Sequence, residues 1–193
     1  MLQTLKILEY FDLRALGAHK PQSWHIIAEA SRLAFADRNK YIADPDFVPS
    51  QAKGLLNKAY LQSRARMIDV NKASLEVKAG KPPMAQNLAS LGSDDAIKPP
   101  GTTHLSIVDL SGNIVSMTSS IESAFGSHLM VNGFMLNNQL TDFAFIPADQ
   151  DGNSKANKVE GGKRPRSSMA PTIIFDPQGQ PFMVVGSAGG SRI

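Results

Sequence analysis

Cysteine is absent from these 193 residues, so no disulfide can staple the fold and no thiolate can bind a metal. No apolar run approaches the roughly 18–20 residues needed to cross a bilayer. The opening Met1-Leu2-Gln3-Thr4-Leu5-Lys6 lacks the basic start, long apolar stretch and small-residue cleavage site of a secretion signal. Charge is also sparse: charged residues make up 19% and the formal net charge is +3, too small to mark a nucleic-acid surface by itself. The four histidines, His19, His25, His104 and His128, show no metal-ligand spacing. No Gly-x-Ser-x-Gly elbow occurs, and the glycine-rich segments lack the spacing and lysine of a phosphate loop or dinucleotide fingerprint. What remains is a chain of 42% hydrophobic residues, sufficient to build the core of one domain or of part of a larger one.

The first half reads as helical. Leu2, Leu5, Ile7 and Leu8 share one side of a helix over residues 1–10. Ser23 is the expected N-cap of a long helix over residues 24–42. Ile26, Ile27, Ala30, Leu33, Ala34 and Tyr41 form its apolar stripe, with Arg32, Asp37, Arg38 and Lys40 pointing elsewhere and His25 a packing or surface residue. Asp44-Pro45-Asp46 ends it, because proline disfavours a helical residue before it. Asn57 is placed to cap a third helix reaching about residue 68, with Tyr60, Leu61 and Met67 as its buried side. Residues 69–101 then lose periodicity, interrupted by Gly80, Pro82-Pro83, Gly92 and Pro99-Pro100. They read as an exposed loop. Loops of such length are usually functional or disordered, and one use is a processing loop that delivers its end to an active centre.

From Thr103 the period changes to that of strands. Residues 103–109 and 114–120 flank the turn Leu110-Ser111-Gly112-Asn113, and residues 133–137 form a short strand candidate. Residues 149–163 are polar and read as a loop. Residues 172–175 and 182–185 pair across Asp176-Pro177-Gln178-Gly179-Gln180. The chain stops soon after a core strand, at Gly-Gly-Ser-Arg-Ile, where a helix would ordinarily follow, so truncation is expected there. There is no internal repeat.

Four segments could carry chemistry. Thr102 follows Gly101 at the boundary between the two halves. If that bond is cut, Thr102 gains a free α-amino group with a pKa of about 8 beside its own hydroxyl, and the amine can act as the hydroxyl's base. Thr102 and Thr103 are also simply β-branched residues suited to starting a strand. Gly186-Ser187-Ala188-Gly189-Gly190-Ser191 could present adjacent backbone N–H groups to an oxyanion, or be a plain loop or anion nest. Lys163-Arg164-Pro165-Arg166-Ser167-Ser168-Met169 has hydroxyls suited to a substrate carboxylate. Its basic run is short and lacks interleaved aromatics, against a nucleic-acid surface, and a solvated loop would also explain it. Leu136-Asn137-Asn138-Gln139-Leu140-Thr141-Asp142-Phe143 is a polar cluster in an apolar frame, costly to bury unless paired. Asp142 could accept from a substrate ammonium, though satisfied turn residues account for the cluster equally.

Taken in order, these segments resemble the γ-glutamyltranspeptidase family of N-terminal nucleophile hydrolases. The resemblance runs through Gly101-Thr102-Thr103-His104, Leu136-Asn137-Asn138-Gln139 with Asp142-Phe143, Lys163-Arg164-Pro165 with Ser167-Ser168-Met169, and Gly186-Ser187 with Gly189-Gly190. Ala34-Phe35-Ala36-Asp37-Arg38 and Asp44-Pro45-Asp46-Phe47-Val48 resemble the family's large subunit. Four ordered motifs are far more specific than any one of them.

The resemblance implies an α+β chain that is part of a four-layer αββα sandwich. Residues 1–101 would be the C-terminal part of a large subunit and residues 102–193 the N-terminal part of a small one, truncated at both ends relative to the family. It implies self-cleavage at Gly101–Thr102 and Thr102 as nucleophile and amine base. The γ-glutamyl group of glutathione or another γ-glutamyl compound would pass through a Thr102 ester to water, an amino acid or a peptide. By the same resemblance Ser120 supports the nucleophile, Gly189 and Gly190 form the oxyanion hole, Ser167 and Ser168 hold the donor carboxylate, and Glu122, Gln139 and Asp142 hold its amine. No metal or organic cofactor, nucleic acid or membrane span is implied. The expected partners are the remainder of both subunits in a processed heterodimer, and a periplasmic or secreted location follows if it is like bacterial members. A cephalosporin-type acylase of the same family is the neighbouring reading, and an inactive fragment or binding module a more distant one. The family's upstream carboxylate-clamping Arg has no counterpart here. Residues 144–162 lack the tyrosine of some members' aromatic lid, and Arg166 stands where an apolar residue is common.

Overall fold

A computed structural model describes residues 1–83, 90–94 and 101–189. The expected loop residues 84–89 and 95–100, and Gly190 among the expected site residues, lie outside the described residues. The chain divides into two compact units, Met1–Asp95 with Ala144–Arg164, and Ala96–Phe143 with Pro165–Ile193.

Helices build the first unit: α1 (Leu2–Leu8), α2 (Leu13–Leu16), α3 (Pro21–Tyr41), α4 (Ala52–Leu55) and α5 (Lys58–Ala65). Short α2 and α4 escape a reading based on periodicity because neither repeats a stripe. Asn57 caps α5 as expected, accepting from Tyr60 N at 3.1 Å. Ser23 does not cap α3. The helix starts at Pro21, whose fixed φ and missing N–H suit the first turn, and the buried Ser23 hydroxyl instead donates to Gly17 O at 2.7 Å. Ile7, Ala30, Leu33, Leu61, Ala65 and Ile68 form one core cluster, and Tyr41, Leu55 and Tyr60 another.

One burial expectation is overturned, and one buried charge was not foreseen. Met67 is 53% exposed, because α5 ends at Ala65 and the helical stripe ends with it. Asp37, expected only to point away from the apolar stripe, is fully buried. Its carboxylate accepts from Gln3 Nε2 (2.5 Å), Tyr60 OH (2.8 Å) and Gly80 N (2.7 Å), and Arg64 Nη2 stands 3.2 Å away. A buried carboxylate is tolerable only with such partners. Desolvation, and then the Asp37 charge, push the Tyr60 phenol well above its ordinary pKa.

Residues 69–83 form no regular element, as expected, but they are strapped along α3 by polar contacts. Gln22 donates to Val70 O (3.2 Å) and Asn71 Oδ1 (3.1 Å), and His25 Nε2 meets Asp69 O (2.8 Å). Ser74 bridges Arg32 and Glu29, while Gly80 meets Tyr41 OH (2.7 Å) as well as Asp37. The helical positions 22, 25, 29, 32, 37 and 41 thus form a polar stripe that satisfies an irregular backbone. Residues 144–164 close the unit. Ala144 N donates to the fully buried Asn157 (2.9 Å), and Gly92 N to Ser154 O (3.0 Å). Lys163 Nζ donates to Ala156 O (2.7 Å) and lies over the Phe47 ring.

Antiparallel strands build the second unit: β1 (Thr102–Val108), β2 (Ile114–Ser120), β3 (Met130–Val131), β4 (Phe134–Met135), β5 (Thr172–Phe175) and β6 (Pro181–Val185). Among the described residues they pair as β1–β2, β3–β4 and β5–β6. The single strand expected over 133–137 is therefore half of a small hairpin, turned at Asn132 and Gly133, both with positive φ. Such a turn matches the twist of the flanking strands. One device recurs at three turns. Asp109 Oδ1 accepts from Ser111 N and Asn113 N, Asp149 Oδ1 from Asp151 N and Asn153 N, and Asp176 Oδ1 from Gln178 N and Gln180 N. Each is an Asp-x-x-Gly-(Asn/Gln) pentapeptide whose carboxylate stands in for the missing backbone partner.

Candidate active site

Antiparallel pairing decides which side chains meet. Thr102 lies opposite Ser120, His104 opposite Thr118 and Ser106 opposite Ser116. Residues directly opposite project from the same face, and alternate rungs share that face. One face of the β1–β2 hairpin therefore carries Thr102, His104 and Ser106 against Ser120, Thr118 and Ser116. Leu105, Ile107, Val115 and Met117 belong to the other.

At the first rung the Thr102 hydroxyl donates to Ser120 Oγ at 3.2 Å, and Ser120 Oγ donates onward to Gly101 O at 2.9 Å. Glu122 N donates to the same Ser120 oxygen at 2.9 Å. One hydroxyl thus touches both sides of the Gly101–Thr102 bond. The backbone is close-packed here: a Cβ at Gly101 would overlap the carbonyl oxygen of Glu122, so the position accepts only glycine without rearrangement. Glu122 itself has φ 74° and is 6% exposed, an uncommon backbone state for a residue with a Cβ.

Asn138 braces that turn. Its Nδ2 donates to Glu122 Oε2 at 2.6 Å, its Oδ1 accepts from Ser123 N at 3.0 Å, and its own N–H donates to Ile121 O at 3.2 Å. Gln139 and Asp142 follow on a 3-10 turn, Gln139–Asp142, with Gln139 Nε2 donating to Asp142 Oδ2 at 2.8 Å. Glu122, Gln139 and Asp142 are thereby joined through Asn138 to the end of β2. Sequence reasoning noted Asn138 as part of a polar cluster but gave it no task. Its signal was the cost of covering an amide, even in part, without a partner.

A cleft of about 540 Å³ opens beside Thr102, lined by Gly101, Thr102, Thr103, Ile121, Ser123, Ala124, Ala188 and Gly189. The nucleophile candidate and one of the two expected oxyanion glycines therefore share a wall. Ser167 and Ser168 are not among its described lining residues. They lie between Arg164 and β5, where Ser167 Oγ accepts from Met169 N at 3.1 Å. The chain entering that segment is anchored in the first unit. Arg164 donates to Asp44 through N (2.8 Å), Nε (2.9 Å) and Nη2 (2.6 Å), and to Asp46 through Nη2 (2.6 Å). These hydrogen bonds from Arg164 hold the Asp44 carboxyl well below its usual pKa. Among the described residues no group of three His, Asp or Glu could hold a metal ion, and no helix is long and apolar enough to cross a membrane.

A family profile described as Gamma-glutamyltranspeptidase matches residues 1–193. The glutathione hydrolase proenzyme of Escherichia coli (strain K12) is 41% identical over 201 residues, covering 100% of this chain and 32% of its own length. That of Bacillus subtilis (strain 168) is 39% identical over 200 residues, covering 100% and 33%. Among solved structures, the cephalosporin acylase from Bacillus halodurans superposes with a TM-score of 0.63 at 25% identity, over 84% of this chain and 25% of that one. This chain spans about a third of the length of the curated relatives it matches.

Proposed function

Because the chain belongs to the γ-glutamyltranspeptidase family, we propose that the full-length protein carrying it cuts itself at Gly101–Thr102 and then uses Thr102 to transfer or hydrolyse γ-glutamyl groups, glutathione being the natural donor. The observation that carries this reading is the Thr102–Ser120–Gly101 arrangement at the cleft.

In the uncut chain, Thr102 Oγ attacks the Gly101 carbonyl carbon and its proton leaves through Ser120 Oγ. Ser120 Oγ–H points at the carbonyl oxygen that becomes negative, where a fixed donor lowers the barrier most. The C–N bond breaks, the nitrogen takes up the proton, and an ester joins Gly101 to Thr102 Oγ. Water hydrolyses that ester, leaving Thr102 with a free amine. At its pKa of about 8 that amine is partly neutral near pH 7 and can accept the hydroxyl proton in the second reaction. Thr102 Oγ then attacks the γ-carbonyl of the donor, the amine's proton passes to the departing nitrogen, and a γ-glutamyl ester forms. Water or an amino acid or peptide takes the acyl group and frees the threonine. Gly189 and Gly190 N–H groups stabilise the oxyanion in this reading. Glu122, Gln139 and Asp142 receive the donor ammonium, and Ser167 and Ser168 its carboxylate.

Residues 1–101 and 102–193 are proposed as adjoining parts of the two subunits of a processed heterodimer with a four-layer αββα core. The strands support this, since Phe182, Phe175 and Val108 are 70%, 57% and 61% exposed and apolar sheet faces of that extent call for cover. A second reading, an acylase acting on another amide side chain, is favoured by the acylase superposition. Ser167, Ser168, Gln139 and Asp142 suit an amino-acid-like donor and favour the first. The deciding experiment sequences the amino terminus of the mature protein and assays γ-glutamyl-p-nitroanilide against glutaryl amides. A new terminus at Thr102, lost in Thr102→Ala, with preference for the γ-glutamyl substrate, is expected. A mature terminus elsewhere overturns the proposal.

A further inference from the structure

His104 lies two residues after Thr102 on the same face of β1, and nothing in the mechanism above uses it. Its ring is fixed from both sides: Nδ1 stands 2.8 Å from Thr118 Oγ1 and Nε2 stands 3.0 Å from Ser106 Oγ. A hydroxyl can donate or accept, so the ring is held whichever nitrogen carries the proton. One edge of the imidazole meets Gly186. A Cβ built on Gly186 would fall into the ring, overlapping Cε1, Nδ1 and Nε2. Gly186 follows the last residue of β6, and that strand end is tied to the same hairpin by Ser116 Oγ, which donates to Val185 O at 3.2 Å. Three residues further on, Gly189 lines the cleft beside Thr102.

We infer that His104 is a positioning residue for the oxyanion loop: its imidazole is the spacer on which Gly186 rests, and it fixes where Gly189 stands relative to Thr102. This inference rests on the reading of Thr102 as nucleophile and Gly189 as oxyanion donor. The ring touches no reacting atom. It acts because an N–H donor works only when held at the place where charge develops, and a misplacement of about 1 Å is enough to lower a rate about a hundredfold. The contact also gives Gly186 a reason to be glycine that differs from any turn requirement.

The test is a double-mutant cycle between His104→Ala and Gly186→Ala in the full-length protein, with Thr102→Ala as reference. Rates of variants that keep Thr102 are expressed per mole of processed protein carrying a Thr102 amino terminus, and that of Thr102→Ala per mole of total protein. His104→Ala is expected to lower kcat for a γ-glutamyl anilide about tenfold to a hundredfold, with KM changed less than about threefold, since donor-binding residues are not displaced. Gly186→Ala alone should lower kcat comparably, and adding it to His104→Ala should lower kcat little further, because the clash is gone. Such non-additivity marks direct coupling. His104→Phe, which keeps a flat ring against Gly186, should retain more kcat than His104→Ala, and it replaces His104→Ala in the cycle should the latter fail to fold. Full kcat in His104→Ala, additive effects in the cycle, or a loss confined to KM would each overturn the inference. Retained activity in Thr102→Ala would overturn the nucleophile reading and this inference with it, whereas a dead Thr102→Ala beside a fully active His104→Ala sinks this inference alone.

Discussion

Ser120 donates a hydrogen bond to the carbonyl oxygen of Gly101 at 2.9 Å, placing a hydroxyl on the acyl side of the bond that precedes Thr102. Ser120→Ala removes that donor together with the acceptor for Thr102 Oγ–H and Glu122 N–H. Self-cleavage should slow about 100- to 1000-fold, the loss typical of removing one oxyanion donor. Ser120→Thr should restore most of it. Gel densitometry of the uncut band against time measures both.

Gly101→Ala should impair the same step by a different route. The new methyl group meets the Glu122 carbonyl, a backbone atom that cannot rotate away. Either Gly101 or the Glu122 turn must move, and self-cleavage should slow about tenfold or more. Gly161→Ala is the control, since nothing lies within 4 Å of its Cβ position. Equal cleavage rates in the two variants would show that the approach of Gly101 to Glu122 is inconsequential.

The buried carboxylate of Asp37 should dominate the stability of the helical unit. Asp37→Ala leaves Arg64, itself 3% exposed, without its ion partner and is expected to destabilise by about 3–5 kcal/mol. Tyr60→Phe deletes only one of several donors and should lose about 1 kcal/mol. Urea titrations followed by tryptophan fluorescence would rank the two, and Trp24 is the only tryptophan, within α3.

Acid should loosen the Asp44–Arg164 clasp. Arg164 holds the folded Asp44 carboxyl below its ordinary pKa, so its stabilising contribution is complete above the unfolded value of about 3.9 and declines as pH falls below it. Asp44→Asn has no such proton to gain. The stability difference between the native protein and Asp44→Asn should therefore be greatest near neutrality and shrink toward pH 2. A pH-independent difference would mean that the ion pair contributes nothing.

Much of this was legible in the residues. The apolar spacing of Ile26, Ala30, Leu33 and Tyr41 located α3, and the strand patterns around Asp109 and Asp176 located two hairpins. Thr102 stood out by its place at the boundary of the two halves, Ser120 was named from resemblance, and their shared rung follows from the hairpin register. What escaped was decided by pairing at a distance. The burial of Asp37 was not foreseen because its partners, Gln3, Tyr60, Arg64 and Gly80, are scattered along the chain. Residues 149–163 looked like a loop of the β half because nothing local says that Asn157 and Lys163 are buried in the helical unit. His104 was given no task beyond its place in a motif, because its contact with Gly186 spans most of the second unit's length in sequence.

The three aspartate-closed turns have a kinetic corollary. Each completes its hydrogen bonds within five residues, from Asp109, Asp149 or Asp176 to the residue four positions on. Reversal of the chain at these points needs no distant partner, and hairpins form in about 1–10 μs. The strand bearing Thr102 can thus find the strand bearing Ser120 while it is still being assembled, so the two hydroxyls are registered early and by the shortest available detour of the chain.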